Sequence, residues 1–174
     1  MTGPAPRRTV PETPRDAAAR QPAGRFAVVA ARFNEPISKK LADGAASALE
    51  AGGVPPARVE VHWVPGSFEL PQAAMVLART GRYAGIVCVG VVIRGETPHF
   101  EYVAGVAAHG LSRVGLDTGV PVSFGVVTSL TEAQAWERAG GAVGQRGEEA
   151  ARAALEMASW MQELRGRRAP TQRR

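Results

Sequence analysis

One cysteine and three histidines are all that this chain of 174 residues has of metal-binding sulfur and imidazole. The lone thiol, Cys88, excludes an internal disulfide, and its place inside the apolar run AGIVCVGVVI predicts a buried, inert group rather than a nucleophile. A zinc site is not expected, because the ten-residue step from His99 to His109 puts the two on different faces of a helix and leaves only His62 besides. No apolar run is long enough to span a bilayer and the N-terminal stretch lacks an apolar signal core, so the expectation is neither a membrane protein nor a secreted one, with the cytoplasm as default. A Walker phosphate loop is missing, as is a Gly-x-Gly-x-x-Gly turn after the first strand-like run. PGSFE, residues 65–69, resembles a nucleophile elbow only faintly, since glycine is absent two positions after Ser67. Internal repeats are absent too.

What is present is a chain that is 45% hydrophobic, enough for one domain with a proper core. The pI near 10.3 suggests nucleic acid until the charges are located. Residues 1–25 hold five Arg against Glu12 and Asp16, a net +3, and residues 165–174 hold five Arg and no acid, a net +5. Residues 26–164 carry eleven basic and fourteen acidic side chains, a net −3. The basicity therefore belongs to the ends, which are poor in apolar periodicity. We read residues 1–24 as a flexible basic extension, 25–164 as the folded domain and 165–174 as a flexible Arg-rich tail. No base-reading motif accompanies the arginines, so solvated tails are a better reading than RNA binding.

Within the domain, strand-like runs alternate with helical patterns. RFAVVAA (25–31), RVEVHWV (58–64), AGIVCVGVVI (84–93) and PVSFGVVT (121–128) suit parallel strands covered on both faces. Between them run the helical stripes Ile37, Leu41, Ala45, Leu49 and Phe100, Val103, Ala107, Leu111, Val114; a third, Ala151, Ala154, Ala158, Met161, closes the domain. Gly52-Gly53, Gly81 and Gly119 follow helices, where left-handed caps favour glycine. The alternation predicts a three-layer α/β sandwich with a four-stranded parallel sheet flanked by helices. Ligands of such sheets sit beyond the carboxyl ends of the strands, which selects four loops: Arg32-Phe33-Asn34, residues 65–69, residues 95–99, and the segment from Thr128 onward.

The third loop, Gly95-Glu96-Thr97-Pro98-His99, is the most suggestive. Thr97 reads as an N-cap and Pro98 as the first helical residue, so the loop would offer free N–H groups and the positive end of a helix dipole to an anion. Imidazole is the side chain that moves protons near neutral pH, and one beside an anion site is a candidate acid/base. The plain alternative is that Thr97 only caps the helix and His99 decorates its first turn.

Taken in order, ARFNEPISKKL, VPGSFELPQAA, VGVVIRGETPHFEYV, PVSFGVVT and ERAGGAVGQRGEEAA resemble the lumazine synthase family, over about residues 25–164. The resemblance implies a flavodoxin-like fold and the condensation of 5-amino-6-(D-ribitylamino)uracil with 3,4-dihydroxy-2-butanone 4-phosphate to 6,7-dimethyl-8-ribityllumazine, phosphate and water. It implies no metal or redox cofactor. By similarity His99 is the general acid/base; Gly95, Glu96 and Thr97 hold the phosphate, with charge from Arg138. Phe33 stacks on the pyrimidine, Ser67, Phe68 and Glu69 bind the ribityl chain and ring, and Val92 and Ile93 offer backbone groups to the ring edge. Phe124 matches a residue contributed by a neighbouring subunit. Core packing for Phe33 and an ordinary first-turn charge for Glu69 are the alternatives.

The resemblance further implies a homopentamer and permits an icosahedral shell and an association with riboflavin synthase. The segment joining Arg138-Ala139-Gly140 to Gln145-Arg146-Gly147 lacks an insertion present in several pentamer-only members. Two departures stand out. Gln145-Arg146-Gly147 replaces the common Asn-Lys-Gly, so Arg146 keeps a charge at the phosphate end of the site but alters its geometry. Pro11, Pro14 and Pro22 lie in the segment that in relatives adds a strand to a neighbour's sheet, which predicts that strand to be short or missing. A noncatalytic relative that binds flavin or lumazine as carrier or assembly scaffold is the rival reading.

Overall fold

The computed structural model describes residues 24–166. The expectations for residues 1–23 and 167–174, including the proline-interrupted strand and the flexible ends, lie outside the described residues.

Strand β1 (Arg25–Ala31) is followed by α1 (Glu35–Ala51), a 3₁₀ turn (Pro56–Arg58), β2 (Val59–Val64), α2 (Leu70–Arg79), β3 (Tyr83–Ile93), α3 (His99–Thr118), β4 (Val122–Ser129), α4 (Glu132–Glu137), β5 (Ala139–Gly141), β6 (Gly144–Gln145) and α5 (Arg146–Gly166). Four strands form one parallel sheet in the order β2-β1-β3-β4. The sequence expectation of an α/β sandwich holds, with strand bounds shifted by a residue at most.

The layering follows from the side-chain alternation of central strands. Phe26, Val28 and Ala30 of β1 join the core beneath α1 and α5, where Leu41, Leu49, Ala151 and Ala154 also pack. Ala27 and Val29 face the other way, toward Leu70 and Ala74 of α2 and Leu111 and Val114 of α3. Because both neighbours of the sheet are helical layers, residues 26–31 are all fully buried, which is why β1 reads as continuous hydrocarbon rather than alternation. Cys88 lies in the same buried floor, and burial pushes its thiol far above its ordinary range, as an inert group requires.

Two departures from the sequence expectation bear on the site. A small antiparallel hairpin, β5 and β6, follows α4. Its exit is Gln145, whose Nε2 donates to the Lys40 carbonyl of α1 (2.6 Å) while its Oε1 accepts from the N–H groups of Gly147 (2.6 Å) and Glu148 (3.2 Å) at the start of α5. One amide side chain thus caps α5 and ties it to α1. Gly147 is needed at that crossing, since a Cβ there would lie 2.0 Å from the Leu41 carbonyl oxygen.

The second feature is a correction at α3. Thr97 is not its N-cap. Pro98 occupies the cap position with helical dihedrals (φ −62°, ψ −2°), and no side-chain cap bond is made. Its carbonyl accepts the Glu101 N–H (2.9 Å), so the backbone starts the helix alone. The consequence favours a site: the first-turn N–H groups have no side-chain partner and the Thr97 hydroxyl is not spent on them.

Among the described residues no helix is long and apolar enough to cross a membrane.

Candidate active site

Each wall of the site is built from a strand end. β1 stops at Ala31 and Asn34 takes left-handed dihedrals (φ 59°, ψ 43°), a conformation asparagine tolerates. The turn is pinned by Phe33 N–H to the Pro65 carbonyl (3.1 Å) and by the Ser38 hydroxyl to the Phe33 carbonyl (3.3 Å). With its backbone held twice, the Phe33 ring stands 70% exposed. Core packing is therefore excluded for it.

The loop between β2 and α2 turns through a Glu69 N–H to Gly66 carbonyl bond (3.3 Å) and anchors on fully buried Leu70. Between these points Ser67 is buried, Phe68 is half-exposed and Glu69 sits at the start of α2 without using its carboxylate as a cap. The Ser67 Oγ is a buried polar atom with no hydrogen-bond partner. Such an atom costs about 1–3 kcal/mol while it stays unpaired; it is packed over Gly90 and is not open to the cavity.

Strand β3 supplies the floor. Its ladder with β1 ends at Ala30↔Val89, whereas its ladder with β4 continues to Ile93↔Ser129. Residues 91–93 therefore run on without a β1 partner. Beyond them Arg94 N–H bonds the Ser129 carbonyl (2.9 Å), and the exposed loop 95–98 leads to His99 at the start of α3. Space around Gly95 is open: a Cβ there would meet nothing within 4 Å.

These walls enclose one cavity of about 420 Å³, within the ~300–1,000 Å³ usual for small-ligand sites. Phe33, Ser67, Phe68, Glu69, Val92, Ile93, Gly95, Thr97 and His99 all line it. So do Pro65, Gly66, Val91, Phe100 and Val103, which were not singled out as site residues. Phe100 and Val103 read as the first members of a core stripe; the only hint of another use was their place beside His99 at the helix start.

Four expected residues do not line the cavity of this chain. Glu96 is exposed on its rim loop. Phe124 pairs in register with Cys88, well before the end of β4, and is 45% exposed. Arg138 and Arg146 bracket the β5–β6 hairpin, joined by Arg146 N–H to the Arg138 carbonyl (2.9 Å). Their neighbours Ala135 and Ala139 belong to the core under α1 and α5, whereas Phe100 and Val103 pack with the α2–α3 layer. The Arg138 guanidinium donates to the Gln134 carbonyl (2.9 Å) and Arg146 pairs with Glu149.

A family model described as 6,7-dimethyl-8-ribityllumazine synthase matches residues 23–162. The chain belongs to that family. Membership carries a lumazine synthase function of the transferase type in riboflavin biosynthesis, and the parallel sheet in the order β2-β1-β3-β4 agrees with the fold of the 6,7-dimethyl-8-ribityllumazine synthases.

A second polar cluster lies at the opposite end of the sheet. Glu60 accepts from Arg25 (2.5 Å) and from the Tyr83 hydroxyl; His62 stands 3.4 Å from the same hydroxyl, and Arg82 lies over the Tyr83 ring (5.5 Å). The Tyr83 bond, then Arg25, hold the Glu60 carboxyl below its ordinary value. Burial, then the Glu60 carboxylate, push the Tyr83 phenol above its own. Among the described residues no group of three or more His, Cys, Asp and Glu is arranged to hold a metal ion.

Proposed function

We propose that this chain condenses 5-amino-6-(D-ribitylamino)uracil with 3,4-dihydroxy-2-butanone 4-phosphate to 6,7-dimethyl-8-ribityllumazine, releasing phosphate and water. The observation that carries the reading is the convergence of an outward-standing Phe33 ring, Glu69 and His99 on one cavity. Phe33 offers its face to the flat pyrimidine, as aromatic rings do for polarizable ligands. Phe68 and Glu69 meet the ribityl chain, the carboxylate accepting from its hydroxyls. The end of β3 at Val92 and Ile93, which has no β1 partner, faces the ring edge with backbone groups.

Phosphate sits at the start of α3. N–H groups of the uncapped first turn, Gly95 and Glu96 in the approach to it, and the Thr97 hydroxyl bind it at the positive end of the helix dipole. His99, beside them, takes and returns the protons that imine formation, phosphate elimination and ring closure each require. Arg138, with Arg146, supplies charge to the leaving phosphate.

Because Phe124, Arg138 and Arg146 lie away from their own chain's cavity, they serve the cavity of a neighbouring copy. The functional unit is then a homo-oligomer, read as a pentamer, with sites shared between subunits. Mixing the His99→Ala and Arg138→Ala variants tests this: shared sites restore part of the activity that neither variant has alone, and sites within one chain restore none.

The reading itself is tested by following lumazine appearance with both substrates against a protein-free control. Acceleration that His99→Ala abolishes supports it. Tight lumazine or riboflavin binding without acceleration would replace it with the carrier or scaffold reading, which requires Phe33 and Glu69 but no proton transfer.

A further inference from the structure

Arg138 and Arg146 leave the two strands of the β5–β6 hairpin at one point. Arg138 precedes Ala139 and Arg146 follows Gln145, the residues that face each other across the hairpin, and the Arg146 N–H closes on the Arg138 carbonyl (2.9 Å). Strands of three and two residues are too short to hold a direction by themselves. Outside help comes from the Gln145 side chain. Its Nε2 donates to the Lys40 carbonyl of α1, and its Oε1 accepts from the Gly147 and Glu148 N–H groups of α5. A primary amide has two donors and two acceptor sites, so three of the four are in use.

Helix α1 is shaped to receive that amide. Gly44 lies one turn after Lys40, in the middle of α1. A Cβ at Gly44 would fall 1.9 Å from the Gln145 Nε2, 2.4 Å from its Cδ and 3.0 Å from its Oε1, and these are the three nearest atoms. The gap therefore belongs to the Gln145 side chain. Glycine inside a helix is less favourable than alanine, so α1 carries it against its own propensity at the place where the amide docks.

Resting on the lumazine synthase reading, we infer that Gln145 is the positioning residue of Arg138 and Arg146. Its amide clamps the hairpin to α1 and α5, and Gly44 leaves the room for it. The clamp fixes the point from which both guanidinium groups present charge to the phosphate of the butanone substrate. Gln145 itself touches no substrate. Loosening it therefore weakens the phosphate side of the reaction and leaves the pyrimidine side alone.

The test is steady-state kinetics, varying each substrate in turn, with inorganic phosphate as a competing probe and thermal midpoints alongside. Gln145→Met keeps the length of the side chain and removes its hydrogen bonds. It raises KM for the butanone phosphate, and the inhibition constant of inorganic phosphate, by about threefold to tenfold. Gln145→Ala does the same, and so does Gly44→Ala, whose methyl expels the amide. The Gly44→Ala/Gln145→Ala double variant is no worse than Gln145→Ala, because the group that collides is gone. KM for the ribitylaminouracil stays put in all four. A purely structural clamp would lower the thermal midpoints while moving both KM values together or neither.

Either of those patterns overturns the inference, as do multiplicative effects of Gly44→Ala and Gln145→Ala. Should Gly44→Ala fail to fold, a double variant that folds with the Gln145→Ala kinetics supports it, and one that also fails overturns it. Wild type and Arg138→Ala are read first. Absence of turnover, or an Arg138→Ala variant with unchanged KM for the butanone phosphate, removes the functional reading of the arginines and the inference with it. A loss in Arg138→Ala that the Gln145 variants do not share removes the inference alone.

Discussion

The two ends of the sheet treat their polar groups oppositely. At the amino ends of β1, β2 and β3, Glu60 is met by Arg25 and Tyr83, with His62 and Arg82 close by, so donors and acceptors are satisfied inside the chain. At the carboxyl ends, α3 begins without a side-chain cap, β3 outruns its β1 ladder, and Phe33 stands in solvent. A cluster that closes on itself stabilises a fold; groups held rigidly but left unpaired are what a ligand can meet. Ionisable residues gather at both ends, Arg25, Glu60, His62 and Arg82 at one and Glu69, Arg94, Glu96 and His99 at the other, so charge alone does not tell the ends apart.

The largest test of that contrast is His99→Ala. Lumazine formation should fall by about a hundredfold to ten-thousandfold, the usual worth of a general acid/base. The thermal midpoint should hold, because His99 is exposed. Next comes Phe33→Ala, which should raise KM for the pyrimidine by roughly tenfold to a hundredfold, in keeping with ~1–3 kcal/mol for an aromatic under a base. Equal loss for the butanone phosphate would count against stacking. Arg138→Lys should act on the other substrate alone, raising its KM by about tenfold as a forked donor becomes a point charge.

Changes at the closed end should leave kinetics untouched and read out in stability. Tyr83→Phe should lower the thermal midpoint by about 2–4 °C, the scale of one hydrogen bond in a chain of this size. Its pH dependence has a definite sign. Glu60 is held below its ordinary 4.5, so it contributes stability above that pH and loses it as pH falls through the depressed value. Tyr83 is raised above 10.0, so its contribution is full below pH 10 and fades as pH climbs through the raised value. Wild type should thus lose thermal stability below about pH 4.5 more steeply than Glu60→Gln does. Parallel curves would show that the cluster is not coupled to folding.

Much of the open end was legible beforehand. Phe33, residues 67–69 and His99 each follow a strand-like run, and the rule that ligands collect beyond the carboxyl ends of parallel strands gathered them. The β5–β6 hairpin was not legible: AGGAVGQ has neither alternation nor length enough to signal strands, and its closure depends on Gln145 reaching Lys40. The cap of α3 was misassigned for a related reason. A Thr-Pro pair has the right letters for a capped start, but the hydroxyl must also be aimed at an N–H, and at Thr97 it is not. The close approach of Ser67 to Gly90 was hidden because a glycine in an apolar run says only that a side chain is missing.

Periodicity and composition by themselves determined the four strands of the main sheet, their burial on both faces, the helical layers and the loops worth searching, because each rests on local spacing that any sandwich of this kind must obey. Only the tertiary structure decided which polar groups find partners. It paired Glu60 with Tyr83 across twenty-three residues, left Ser67 unpaired above Gly90, and put Arg138 and Arg146 on the far layer from His99. Hydrogen bonding and close approach act over a few ångströms between residues far apart in the chain, and that proximity exists only once the layers have packed.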